Sequence, residues 1–154
     1  MSTSAVPRPV RDRPGAVLLS KTVSEADVYL FAGITGDFYP LHLDAEYAAT
    51  QPVGERIAHG ALVLGFFSAA AARWAQREGL DILSAGYDRL RFIRPVRFGD
   101  TLTVAYAADP ATATGRRMIG SAEARNQHGE VVCAAEHLVH LSSPASHQPD
   151  PVSE

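Results

Sequence analysis

The order of elements in this 154-residue chain predicts an α+β domain, an antiparallel β-sheet wrapped around one long helix. Three observations carry that expectation. An uncharged, apolar run over residues 61–72 lies inside a helical stretch, 60–78, and a helix apolar on nearly every side belongs buried inside something. After it come four strand-length runs, residues 82–94, 101–108, 115–126 and 130–141, separated by Pro95, Gly99, Asp109-Pro110 and a His128-Gly129 turn, the last two reading as a hairpin. Before it stand one strand-length run and a shorter helix. A chain of this size suits one domain, burying roughly 70% of its unfolded surface.

Residues 1–14 and 143–154, rich in Pro, Ser, Asp and Arg, carry too little apolar surface to offset the entropy of ordering and read as disordered tails around a single domain at 15–142. The N-terminus has no apolar core of the roughly 7–15 residues that a secretory signal needs. Residues 16–22, with Val17, Leu18 and Leu19, form the first strand. Ser24 then offers an N-cap with Asp27 three residues on, a weaker form of the capping box. In the helix that follows, Asp27, Phe31 and Ile34 share helical spacing and are expected to face inward, and Gly33 and Gly36 allow the turn that presents Asp37. Asp44 can cap a short helix through Tyr47, Ala48 and Ala49. Gly79 stops the long helix, with Trp74, Phe66 and Phe67 reading as core or as tunnel wall.

Composition removes several classes. A net charge of −3 gives no basic footprint for phosphate backbones, so nucleic acid is not expected as a partner. The run at 61–72 falls short of the ~20 residues that cross a bilayer. With Cys133 as the single cysteine, no intrachain disulfide can form, and a reducing cytoplasm is the natural compartment. The spacing of His128, His137 and His140 suits no metal site, and neither a P-loop nor a dinucleotide glycine motif is present, so no metal and no cofactor is expected.

The chemistry-bearing stretch runs from Gly33 to Gly65. Asp37 stands five residues before His42, with Pro40 stiffening the connection. Gly36-Asp37-Phe38-Tyr39-Pro40-Leu41-His42-Leu43-Asp44 resembles the Gly-Asp-x-Asn-Pro-apolar-His-x-Asp segment of the MaoC-like dehydratases, the family of the (R)-specific enoyl-CoA hydratases, with Tyr39 as the one departure. Two further family features follow in order: Arg-Ile-Ala-His-Gly at residues 56–60, and Pro-Val-x-x-Gly-Asp-Thr-Leu at 95–102.

The resemblance implies a hot-dog fold and a hydratase or dehydratase interconverting a trans-2-enoyl thioester and an (R)-3-hydroxyacyl thioester, with coenzyme A or an acyl carrier protein as the carrier. It implies that Asp37 and His42 activate water and that the Gly60 amide, at a helix start, holds the enolate oxygen. Unperturbed pKa values of about 3.9 and 6.5 leave both side chains largely proton-free near neutrality. The first amides of a helix have no internal partners, which suits Gly60 to the oxyanion. Tyr39, Pro40 and His59 are expected near the substrate, His59 either hydrogen-bonded within the structure or shaping the tunnel. Tyr39 either projects toward the acyl chain or braces the loop. Strand alternation would set Arg89 and Arg91 on one face, which either meets coenzyme A phosphates or is simply a solvated sheet face. Family members pair two sheets edge to edge, so a homodimer is expected. Two other readings share the fold: a thioesterase, and a non-catalytic acyl-thioester binding or partner subunit.

Overall fold

A computed structural model of the chain describes residues 8–142. The expected tails at 1–7 and 143–154 lie outside the described residues. Strand β1 (Val17–Thr22) leads into helices α1 (Glu25–Thr35), α2 (Pro40–Leu43), α3 (Ala45–Ala49) and α4 (Gly60–Glu78), followed by strands β2 (Ile82–Phe92), β3 (Thr101–Ala107), β4 (Arg117–Arg125) and β5 (Val131–Leu141). The strands form one antiparallel sheet in the order β1-β3-β4-β5-β2, with α4 laid along one face. This is the expected α+β arrangement.

Local chemistry explains the ends. Ser24 Oγ accepts from the Asp27 amide while an Asp27 carboxylate oxygen accepts from the Ser24 amide, a complete capping box. Gly36 closes α1 at φ 79° and Gly79 closes α4 at φ 65°, in the left-handed region that favours glycine. Asp44 accepts from the Tyr47 amide and caps α3.

The core lies between α4 and the inner face of the sheet. Register pairs Ala124 with Cys133, Ala122 with Ala135, Gly120 with His137 and Met118 with Val139, and all of these except the glycine present buried side chains to the helix. Val63, Phe67, Ala70, Ala71, Trp74 and Ala75 answer them from α4 at spacings of three and four. A Cβ on Gly120 would collide with the Tyr106 hydroxyl, so the missing side chain makes room for that ring, whose phenol shares a 3.2 Å hydrogen bond with His137 Nδ1.

Four expectations are corrected. The helix α4 is not buried all round: Ala61, Gly65, Ser68, Ala69 and Ala72 are exposed, because a single five-stranded sheet covers only one side. Val28 and Ala32 form the inward face of α1, while Ile34 is 84% exposed, since the helix meets the core one residue out of phase with the Asp27-Phe31-Ile34 row. Residues 8–14 are not a bare tail: Val10–Asp12 form a 3₁₀ turn, and Val10 is buried against Ala105 and Ala107 on the outer face of the sheet. Small residues on β3 leave a seat there for one apolar side chain.

The fourth correction concerns Arg89 and Arg91. β2 carries two bulges against β5, between Ser84 and Gly86 and between Asp88 and Arg91, which break the alternation. Arg89 occupies the second at φ 51°, with its guanidinium 2.6 Å from Glu136, while the Arg91 guanidinium bonds the Leu90 carbonyl. No helix among the described residues is long and apolar enough to cross a membrane.

Candidate active site

Between α1 and α4 the chain brings Asp37, His42 and His59 together. One carboxylate oxygen and one ring nitrogen of each histidine lie within 4.8 Å of one another. Asp37 follows the left-handed turn at Gly36, and its Oδ1 accepts from the Tyr39 amide at 3.2 Å, a local turn that leaves the carboxylate exposed. Pro40 opens α2, where its fixed φ and missing N–H suit the first helical position, and the single turn carries His42 back over Asp37.

His42 is fixed by its backbone partner. Nδ1 lies 2.7 Å from the Ile57 carbonyl. A carbonyl only accepts, so Nδ1 bears the proton and Nε2 presents a lone pair. The pKa of His42 lies below its ordinary value of 6.5; burial is the main cause, opposed by the Ile57 hydrogen bond and by Asp37 and reinforced by His59.

His59 stands just before α4 and is 2% exposed. Its Nε2–H donates to the Asp37 carbonyl at 3.0 Å, and its ring stacks on His42 with centroids 3.8 Å apart and packs against Phe31. His59 is thus enclosed and hydrogen-bonded within the structure. Its Nδ1 is buried without a hydrogen-bond partner among the described residues.

Gly60 is the first residue of α4, where amides have no acceptor within the helix. A cavity of about 300 Å³ is lined by Gly60, His42, Val63, Phe92, Arg94 and Val132, among others. The nearby cation is thus Arg94, whose guanidinium lies 3.4 Å from Glu130; Arg89 lines a separate hollow with Ala122, Ala134 and Glu136. Tyr39 is half exposed, sits edge-on to His42 at 6.1 Å, and shares a 3.1 Å hydrogen bond with the Tyr47 hydroxyl. Phe92 was not singled out from sequence. Strict alternation from Tyr87 puts it on the outer face, and only the extra residue of the second bulge turns it inward, opposite Cys133. Its position just ahead of the Pro-Val motif was the available signal.

The second and third motifs brace this site. Arg56 bonds Glu25 at 2.6 Å and Tyr29 at 2.8 Å while lying 4.8 Å over the Phe98 ring. Gly99 turns at φ 89° and Asp100 accepts from the Arg97 amide, closing the turn before β3. The Ala58 amide donates to the Val96 carbonyl at 2.8 Å.

A sequence profile of the MaoC like domain matches residues 9–131. An (R)-specific enoyl-CoA hydratase of Rhodospirillum rubrum is 44% identical over 85 residues, covering 55% of this chain and 57% of that protein. A 3-hydroxybutyryl-CoA dehydratase of Methylorubrum extorquens is 41% identical over 87 residues, covering 56% of this chain and 54% of that one. The chain therefore spans little more than half the length of these curated relatives. The unliganded R-hydratase PhaJ1 of Pseudomonas aeruginosa superposes with a TM-score of 0.71 at 35% identity, covering 83% of this chain and 80% of that one. The fold is a hot dog.

Proposed function

We propose, because this chain belongs to the MaoC-like domain family, that it adds water across a trans-2-enoyl thioester to give the (R)-3-hydroxyacyl thioester, and catalyses the reverse dehydration. The observation that carries the reading is the pair of acceptors, the Asp37 carboxylate and the imidazole of His42, with His42 lining the same cavity as Gly60. A separation within 4.8 Å suits one water donating a hydrogen bond of about 2.8 Å to each. With both O–H bonds engaged, the oxygen lone pair is left to attack the β-carbon.

As the C–O bond forms, the water proton passes to the pair and the π electrons move onto the thioester oxygen. The Gly60 N–H, backed by the dipole of a 19-residue helix, suits that developing charge. Collapse of the enolate takes the same proton onto the α-carbon, on the face from which water came, so addition is syn. Hydroxide and proton are both accounted for, and no cofactor is required. Arg94 is the cation best placed for the anionic carrier, coenzyme A or an acyl carrier protein.

A homodimer fits the exposed edge of β2, where Leu83 is 65% exposed and Ile93, just past the strand, 49% exposed, and the uncovered small residues of α4. Light scattering at micromolar concentration should return twice the chain mass; a fully active monomer contradicts this. The buried, single Cys133 fits a reducing cytoplasm. Crotonyl-CoA tests the chemistry: loss of enoyl absorbance without free thiol supports hydration, whereas free thiol means hydrolysis and thermal stabilisation without turnover means a binding subunit.

A further inference from the structure

The space beside Gly60 Cα is not empty. A Cβ built on Gly60 would lie 2.9 Å from Cζ of Phe92 and 3.0 Å from both of its Cε atoms. The ordinary helical backbone at Gly60 would accept any residue; what is missing is room, and the tip of one aromatic ring takes it. Phe92 is the last residue of β2, pairs with Cys133 on β5, and lines the same cavity as His42 and Gly60. It is also 53% exposed, so solvent rather than protein borders part of the ring.

A thioester whose carbonyl oxygen approaches the Gly60 amide carries its α-carbon directly beside that oxygen. Carbon atoms in contact stand about 3.5–4.0 Å apart. A methyl group occupying the space next to Gly60 Cα therefore meets the ring, as a Cβ on Gly60 would. We propose that Phe92 is a specificity-determining residue that admits enoyl thioesters with a bare α-carbon and disfavours those bearing an α-methyl group. The ligand class rests on the hydration reading above, whereas the steric assignment rests on the ring and the glycine. The extra residue between Asp88 and Arg91 is what brings the ring to this face.

Isothermal titration of the full chain with crotonyl-CoA and 2-methylcrotonyl-CoA tests the assignment, with kcat/KM measured for both. The wild type should favour the unbranched ligand by about 10- to 200-fold, the range over which one methyl group is discriminated in an apolar pocket, and Phe92→Ala should bring that ratio to within about threefold. Phe92→Leu, which keeps apolar bulk and guards against a misfolded alanine variant, should fall between. Equal affinities in the wild type, a ratio unchanged in both variants, or no binding of either ligand overturns the assignment. If the ratio shifts as expected in binding but crotonyl-CoA is not hydrated, the hydration reading fails and the role of Phe92 stands. If crotonyl-CoA is hydrated while the ratio is the same in all three proteins, Phe92 fails and hydration stands.

Discussion

His42 owes its usefulness to a proton it does not release. With Nδ1–H committed to the Ile57 carbonyl, the remaining nitrogen can only accept, and partial burial keeps it unprotonated near neutrality. His42→Ala and Asp37→Asn are each expected to lower kcat at least ~10²-fold while urea midpoints stay close to the wild type, the low end for losing acid–base help. Because protonation fills the acceptor, kcat/KM should fall as pH drops, with an apparent pKa below 6.5; an acid limb centred above that value would remove His42 as the titrating group. Tyr39 offers a second test. Its phenol is tethered to Tyr47 by a 3.1 Å hydrogen bond, which favours a bracing role for the ring. Tyr39→Asn should lower kcat for all enoyl chain lengths by one common factor. A chain-length profile that changes shape would restore the ring to the acyl path.

Strand β2 marks the limit of what could be read from the chain. The start and end of α4, the cap at Asp44, the hairpin around Gly129 and the Asp37-His42 pairing were legible because each depends on neighbours within a few residues. The two bulges were not read: Gly86 is a local sign of the first, but nothing local marks the second at 88–91, and each extra residue reverses which side chains face the core. That reversal moved Arg89 away from the site and Phe92 into it. Glycine in β4 is readable only after folding, for Gly120 matters through Tyr106 on the adjacent strand. Gly120→Ala should cost about 1–3 kcal/mol by overpacking, seen as a lower urea midpoint at unchanged m. Gly65→Ala, on the open face of α4 where a Cβ meets nothing within 4 Å, should be neutral or stabilising by up to about 1 kcal/mol in the isolated chain.

Across the whole molecule the buried imidazole of His137 links stability to pH. It is 2% exposed, stacked on Tyr87 at 4.4 Å and bonded to Tyr106 and Ser84, and burial holds its pKa below the ordinary 6.5. A lowered folded-state pKa means that the unfolded chain binds the proton more readily. Stability is therefore complete above about 6.5 and declines as pH falls from there toward the folded-state value, at no more than about 1.4 kcal/mol per pH unit for this group. Chemical denaturation at pH 7.5 and 5.0 should show that decline in the wild type and a smaller one in His137→Gln, although the variant starts lower. Equal declines would assign the effect elsewhere. The exposed face of α4 is the feature of this scale that pattern reading missed: apolar composition specifies that a helix is covered, not which molecule covers it.

The hydrogen bond from His42 to Ile57 reaches further than the imidazole. Ile57 bridges to Arg97, and Ala58 is bonded to Val96, so the carbonyl that selects the tautomer is positioned by the turn after β2. A designer who grafts residues 36–44 alone onto another scaffold would transplant the acid and the ring without the device that decides which nitrogen is bare. The portable cassette is discontinuous, with pieces at 36–44, 56–60 and 95–100, and it has to travel as three segments or not at all.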